Sequence, residues 1–233
     1  MFQGRHKALT FSYDDGVEQD IRLIELFDRY GMKATFNLNS GLLGQRQTLI
    51  RNGVCVRHDK IAPEKVGSCY KNHEIAAHTL THPNLTTLSD EQVLEQTIGD
   101  QKALSALCGY DIFGMAYPGG GVNYNDHVAA LIAQHTTLRY CRTTVCTGGF
   151  APERDLSRLR PTVYHLDIDD MFRLGEQFLR LDAKTDQIFY IWGHSYEFDA
   201  WNFWDRFEEF LRLMHGRNDI FYGTNRQVLL NMP

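Results

Sequence analysis

The sequence lacks any paired-cysteine motif. Its five cysteines are Cys55, Cys69, Cys108, Cys141 and Cys146. The number is odd and no two of them have CxxC spacing, so neither a disulfide framework nor a cysteine zinc site is indicated. We therefore expect reduced, buried thiols, the common environment of a free cysteine.

The sequence also lacks a long apolar run and an excess of positive charge. No stretch is long enough to cross a bilayer. The net charge of -5 argues against the basic stripe of a nucleic-acid-binding protein. We expect neither a nucleic-acid nor a membrane partner, and no feature predicts an oligomeric state. The start, "MFQGRHKALTF", has no apolar signal segment, so a cytoplasmic protein is expected, although a truncated exported chain would look the same.

What is present fits one globular domain over residues 1–233, with 43% hydrophobic and 23% charged residues. Apolar strand-like segments alternate regularly with amphipathic helical ones. The predicted strands are 7–13, 33–38, 73–78, 112–117, 138–144, 186–194 and 220–223. The predicted helices are 19–31, 62–72, 89–109, 125–135, 168–181 and 204–216. This alternation predicts an α/β fold, a distorted (β/α) barrel of about seven parallel strands with outer helices. Residues 41–60 have no clear period and are expected to be a loop.

Polar side chains stand at the ends of the predicted strands. Asp14 and Asp15 follow the first strand, His78 and His82 the third, and His194 the sixth. We expect a loop after the third strand, with Pro83 holding His82 in extended geometry. In a barrel of parallel strands such residues meet at one rim. Two imidazoles and one carboxylate make a three-ligand site for a divalent metal with an open position. The second carboxylate is then free to act as a base, and the metal charge offsets the repulsion between the two aspartates.

Two further segments and the remaining histidines also have polar or aromatic groups. Three glycines in "FGMAYPGGG" offer exposed backbone N–H groups, and one or two rings of "WGHSYEFDAWNFW" could form a platform for a sugar. Most of the second segment is expected to be core. The remaining histidines are expected to be surface or structural: His6, His58, His73, His127, His135, His165 and His215.

Four segments together resemble the polysaccharide deacetylase family, the NodB-like carbohydrate esterases. They are "LTFSYDDGV", "HEIAAHTLTHP", "FGMAYPGGG" and "YIWGHSYEF", which span residues 9 to 198 in the family's order. The resemblance implies a distorted (β/α) barrel, usually of seven strands. It implies a divalent metal, zinc first, with cobalt, nickel or manganese as alternatives. It implies hydrolysis of an N-acetyl or O-acetyl group on a sugar.

The resemblance also implies residue roles. Asp14 would be the general base and His194 the general acid. Asp15, His78 and His82 would bind the metal. A backbone N–H near Gly119 would stabilise the oxyanion. The expected substrate-binding residues are Tyr117, Pro118, Gly119, Trp192 and Tyr196.

One position departs from the family pattern, and we interpret the departure as the mark of an AYP-type subfamily. Ala116 stands where the family usually has an arginine that holds the catalytic aspartate. Arg139 and Arg142, at the end of the fifth predicted strand, must point to opposite faces. We predict that Arg142, nearer the carboxyl end, contacts Asp14 and acts in catalysis.

The departure leaves the substrate open between an acetylated saccharide and a small N-acyl compound. Two alternatives to a carbohydrate deacetylase remain: a metal-dependent amide hydrolase acting on a small non-sugar substrate, and a catalytically inactive sugar-binding module.

Overall fold

The computed structural model describes residues 1–231, and in that range the main sheet has eight parallel strands and a separate antiparallel hairpin has two. The strands are β1 (Lys7–Asp14), β2 (Ala34–Leu38), β3 (Thr48–Arg51), β4 (Val54–Arg57), β5 (Glu74–Ala77), β6 (Gly114–Ala116), β7 (Tyr140–Arg142), β8 (Val163–Tyr164), β9 (Gln187–His194) and β10 (Ile220–Tyr222).

The main sheet curls into a barrel. Its strand order is β7-β6-β5-β2-β1-β9-β8, and β10 pairs with the first residues of β1. The segment that begins at Leu159 completes the curl, because Leu159 bridges to Arg142 of β7 and Val163 of β8 pairs with Ile191 of β9. The expected (β/α) barrel is therefore confirmed. The two-residue strand β8 lies between the predicted strand 138–144 and the predicted helix 168–181, where the sequence pattern predicts no strand.

Helices cover the outside of the barrel. They are α1 (Asp20–Arg29), α2 (Val66–Cys69), α3 (Asp90–Cys108), α4 (Asp126–His135), α5 (Ile168–Arg180), α6 (Glu197–Ala200), α7 (Trp204–Met214) and α8 (Asn225–Leu230). The capping box in which Ser89 and Gln92 start α3 is present, as its sequence predicts. No helix among the described residues is long and apolar enough to cross a membrane.

The expectation of a loop over residues 41–60 is wrong. This stretch contains the antiparallel pair β3–β4, joined by Asn52 and Gly53 at φ 50° and 71°. Both turn residues have positive φ, which is the geometry that an Asn-Gly pair favours in a two-residue hairpin turn. An Asn-Gly pair between two short apolar segments therefore predicts a hairpin here.

Both faces of the central strand are covered, so every residue of β1 is buried. An aromatic cluster fills the space between β1 and the helices, with Phe11 packing on Phe27 at a ring separation of 4.7 Å and on Phe207 of α7 at 6.1 Å. The five cysteines are free, as expected. Their expected burial is wrong for Cys55 and Cys146, which are exposed.

Candidate active site

The polar residues at the strand ends converge on one cavity. In the register of the sheet, Asp14 is paired with His194 on one side and with Asn37 on the other. Because the strands are parallel, their carboxyl ends form a common rim. The cavity there has a volume of about 440 Å³. Its lining includes Asp14, Asp15, His78, His82, His194 and Glu197.

Three side chains at this rim have the composition of a metal site. Ligand atoms of Asp15, His78 and His82 all lie within 4.8 Å of one another. Asp15 Oδ1 is 4.0 Å from His78 Nε2 and 3.7 Å from His82 Nε2. Two imidazole nitrogens and one carboxylate oxygen form a donor set that suits zinc with an open fourth position.

The buried His78 ring is oriented to offer a lone pair. Its Nδ1 donates to the Ala116 carbonyl at 2.8 Å, which leaves Nε2 unprotonated in the neutral ring. Burial lowers the pKa of His78 to about 4. Among the described residues, Nε2 has no hydrogen-bond partner although it is buried. An unpaired buried acceptor is costly unless something binds it, so these residues fit a divalent ion.

The backbone around the three potential ligands is strained. Asp15, Thr79 and His82 have φ values of 83°, 68° and 61°. The expectation that Pro83 holds His82 in extended geometry is therefore wrong. His82 N donates to Thr79 Oγ1 at 3.2 Å, which helps to hold the loop in this conformation. Left-handed non-glycine residues cost about 1–3 kcal/mol each and cluster at functional sites.

Asp14 is buried and paired with a cation. Arg142 Nη2 donates to Asp14 Oδ2, and Asn37 Nδ2 donates to Asp14 Oδ1 at 2.8 Å. Burial alone would raise the pKa of Asp14, but Arg142, His78 and His194 together hold the pKa below its usual value. Asp14 is therefore ionised at neutral pH.

The position of Arg142 follows from the sheet register. Arg142 of β7 is paired with Ala116 of β6, so its guanidinium enters the barrel beside the residue where the family pattern has arginine. Arg142 is fully buried and Arg139 is exposed, as the alternation along the strand predicts. The Arg142 guanidinium also lies 4.5 Å from the Trp192 ring. The predicted contact with Asp14 is present, while a role in catalysis stays a prediction.

His194 has an anionic partner that the sequence analysis did not identify. Glu197, in the first turn of α6, accepts from His194 Nδ1 at 3.1 Å and from His194 N at 3.2 Å. Burial lowers the pKa of His194, but the Glu197 carboxylate, together with Asp15 and Asp14, raises the pKa to about 9. His194 is therefore protonated at neutral pH, and its Nε2 lies 4.0 Å from Asp14 Oδ2.

Glu197 is itself held by other hydrogen bonds. It accepts from His165 Nε2 at 2.8 Å and from the Tyr164 hydroxyl. Burial opposes the charged form, but the nearby histidines keep the pKa of Glu197 well below its usual range. His165 is thus a satisfied buried histidine, as expected.

The β3–β4 hairpin also reaches the site. His58, which directly follows β4, places Nε2 3.1 Å from Asp15 Oδ2. Lys60 Nζ donates to the Asp15 carbonyl at 2.7 Å and lies 3.4 Å from Asp15 Oδ1. Although burial raises the pKa of Asp15, the His58 hydrogen bond and the Lys60 charge help to hold it well below its usual value. His58 was expected to be surface or structural, and only the fold brings it to Asp15.

The predicted substrate-binding residues separate into two groups. Gly119, Trp192 and Tyr196 line the cavity. Tyr117 does not line the cavity: its side chain is buried, its hydroxyl donates to the Ser157 carbonyl at 2.8 Å and its N–H to Arg142 O at 2.9 Å. Its assignment as a substrate-binding residue stays a prediction. Pro118 is also buried and does not line the cavity, and its assignment likewise stays a prediction.

The sequence matches a known protein family. A family model described as polysaccharide deacetylase matches residues 3–140, which is more than half of the chain. The peptidoglycan-N-acetylglucosamine deacetylase PgdA of Listeria monocytogenes is 25% identical over 120 residues, or 51% of this chain. The match covers 22% of that relative's length.

Solved structures show the same fold at low sequence identity. The peptidoglycan deacetylase PdaC of Bacillus subtilis superposes with a TM-score of 0.56 at 19% identity, covering 96% of this chain and 90% of that one. A pseudoenzyme of the CE4 family from Bacillus anthracis superposes with a TM-score of 0.54 at 16% identity, covering 96% and 65%. The fold is thus shared by a protein named as a deacetylase and by one named as a pseudoenzyme, while the family match rests on sequence. The chain belongs to the polysaccharide deacetylase family.

Proposed function

We propose that this protein is a metal-dependent hydrolase that removes an N-acetyl or O-acetyl group from a carbohydrate. One observation carries the proposal. The three potential ligands Asp15, His78 and His82 share a cavity with an ionised Asp14 and a protonated His194. Metal-assisted acyl hydrolysis needs a Lewis acid, a base and an acid around one substrate carbonyl. This cavity contains candidate ligands for the Lewis acid and candidates for the base and the acid.

Asp15, His78 and His82 would hold the divalent ion, with zinc first and cobalt, nickel or manganese as alternatives. When bound, such an ion polarises a carbonyl and lowers the pKa of water. The protein's own contribution is to keep both histidines neutral and directed. Burial lowers the pKa values of His78 and His82, so neither ring competes for a proton at neutral pH.

The two remaining groups would move protons. Asp14, kept ionised by Arg142, accepts a proton from the attacking water. His194, kept charged by Glu197, donates a proton to the leaving amine nitrogen or alkoxide. Their environments push the two pKa values apart, which is the arrangement that assigns a base and an acid. Each such group contributes about 10²–10⁴-fold to the rate.

Binding groups for the substrate line the same cavity. The Gly119 N–H is the proposed oxyanion donor, and Trp192 and Tyr196 would contact the sugar. An acetylated saccharide is the proposed substrate, as the name of the Listeria relative suggests by analogy. A small N-acyl compound is the alternative substrate class.

The second candidate function is that of an inactive sugar-binding module, because a pseudoenzyme from Bacillus anthracis has the same fold. The candidate base, acid and ligands are all present here, which favours an enzyme. The test is acetate release from an N-acetylglucosamine tetramer and from a panel of small N-acyl amides, before and after chelation and re-addition of Zn²⁺. Zn²⁺-dependent release from the tetramer supports the proposal, and Zn²⁺-dependent release from the small amides alone would identify the alternative substrate class. Sugar binding without acetate release from any substrate would contradict the proposal.

A further inference from the structure

We propose that the β3–β4 hairpin is part of the metal site and that His58 is a positioning residue for Asp15. The inference rests on the proposed metal site and concerns how its one carboxylate ligand is held. Nothing in the sequence pattern connects His58 with the strand-end residues, because it lies outside the predicted strands and 43 positions from Asp15.

The contact with His58 gives the two oxygens of the Asp15 carboxylate different partners. Oδ2 faces His58 Nε2 at 3.1 Å. Oδ1 faces His78 Nε2 and His82 Nε2 at 4.0 and 3.7 Å, and Lys60 Nζ lies beside Oδ1 at 3.4 Å. A hydrogen bond to Oδ2 therefore fixes the rotation of the carboxylate and leaves Oδ1 directed at the two imidazoles. This is the part that a hydrogen-bonded partner plays for a metal-binding carboxylate.

A second contact sets which nitrogen of His58 carries the proton. Gln47 Nε2 lies 2.9 Å from His58 Nδ1, so the amide donates to Nδ1 and the proton of the neutral ring sits on Nε2. That is the nitrogen facing Asp15. The chain Gln47, His58, Asp15 thus runs in one direction, with each member donating to the next.

The segment that directly follows β4 is bonded to the loop that carries Asp15. Lys60 bridges to Val17, and Ile61 N donates to Gly16 O at 2.9 Å. Lys60 Nζ bonds the Asp15 carbonyl at 2.7 Å, which also helps to stabilise the left-handed backbone of Asp15. His58 is buried, so its bond to Asp15 does not compete with bulk water.

The effect should appear in metal affinity. Partners of metal ligands typically change the affinity by about 10–100-fold when they are removed. His58→Leu removes the donor. His58→Gln keeps an amide donor at a comparable distance along the side chain. His73→Gln is the matched control, since His73 is also buried but lies at the opposite end of the barrel strands.

The experiment titrates each full-length variant with Co²⁺ alone, with no substrate, and records both the dissociation constant and the visible spectrum at saturation. We expect about 10–100-fold weaker binding for His58→Leu, with an altered Co²⁺ spectrum because Asp15 can rotate. His58→Gln should recover most of the affinity, and His73→Gln should match the wild type. Urea unfolding of the metal-free proteins checks that all are folded.

The outcomes separate the two proposals. If the wild type binds no Co²⁺ or Zn²⁺, the proposed metal-dependent function fails. If the wild type binds and folded His58→Leu binds within about threefold with an unchanged spectrum, the positioning role of His58 is refuted and the metal site stands. Equal weakening by His58→Leu and His73→Gln would also refute it, because the effect would then be one of general stability.

Discussion

Replacing Glu197 by glutamine should remove the charge that keeps His194 protonated while preserving the shape of the side chain. In the wild type, Glu197 Oε2 lies 3.1 Å from His194 Nδ1. Burial acts to lower the pKa of His194, and the charge and hydrogen bond of Glu197 are the largest influences that raise it to about 9. A neutral amide removes the main influence that opposes burial, so the pKa of His194 should fall.

The size of the effect follows from the protonated fraction of His194. If its pKa falls from about 9 to about 6.5, the protonated fraction at pH 8 falls from about 0.9 to about 0.03, a loss of roughly thirtyfold in an acid-catalysed rate. At pH 6 the same calculation gives less than about a twofold loss. The variant should therefore be nearly normal in mild acid and defective in mild alkali. A bound divalent ion would lower both pKa values without removing their difference.

The assay is kcat/KM for acetate release from an N-acetyl amide between pH 5.5 and 9.5, for wild type, Glu197→Gln and the control Glu208→Gln. Glu208 pairs with Tyr30 and Arg212 on the surface, so its loss should leave the profile unchanged. We expect the alkaline limb of Glu197→Gln to move down by about 2.5 pH units. An alkaline limb at the wild-type position would refute the role given to Glu197.

Three further predictions test other parts of the site. His78→Ala should abolish tight binding of Zn²⁺, measured by equilibrium dialysis, and stoichiometric metal in the variant would contradict the ligand assignment. Arg142→Gln should move the acidic limb of the pH–rate profile upward, because burial then raises the pKa of Asp14 unopposed by its nearest cation; an unmoved limb would disprove the pairing role. Asp20 is buried and its pKa is raised to about 7, so its contribution to stability is complete below pH 3.8 and is lost as the pH rises towards 7. Asp20→Asn should therefore gain relative stability between pH 5 and pH 8, by roughly 2.5 kcal/mol in urea unfolding, and a difference independent of pH would contradict this.

The strand-end residues could be predicted because each follows a clearly patterned strand. Asp14, Asp15, His78 and His194 sit where the chain leaves β1, β5 and β9, and parallel strands bring such positions together without further information. Arg142 could be placed by the alternation of side chains along β7. These are consequences of local periodicity and of one topological rule.

Glu197 and His58 could not be predicted in the same way. Glu197 reaches His194 only because the chain turns sharply into the four-residue α6, whose direction no periodic pattern encodes. The position of His58 is set by a hairpin outside the barrel. The Asn52-Gly53 pair predicts the turn of this hairpin, but no sequence pattern predicts that the hairpin packs against Asp15. His82 has left-handed backbone geometry although a residue before proline usually prefers extended geometry. The loop is held in this conformation by contacts such as the bond from His82 N to Thr79 Oγ1.

The most direct test of the account compares Asp14→Asn with the wild type, both loaded with Zn²⁺, on an N-acetylglucosamine tetramer. The variant keeps Asp15, His78 and His82, so it should bind one equivalent of Zn²⁺. Its rate of acetate release should be at least about 10²-fold lower, because an amide cannot accept the proton from water. Normal Zn²⁺ binding with wild-type acetate release would contradict the proposal that Asp14 is the base of a metal-dependent deacetylase.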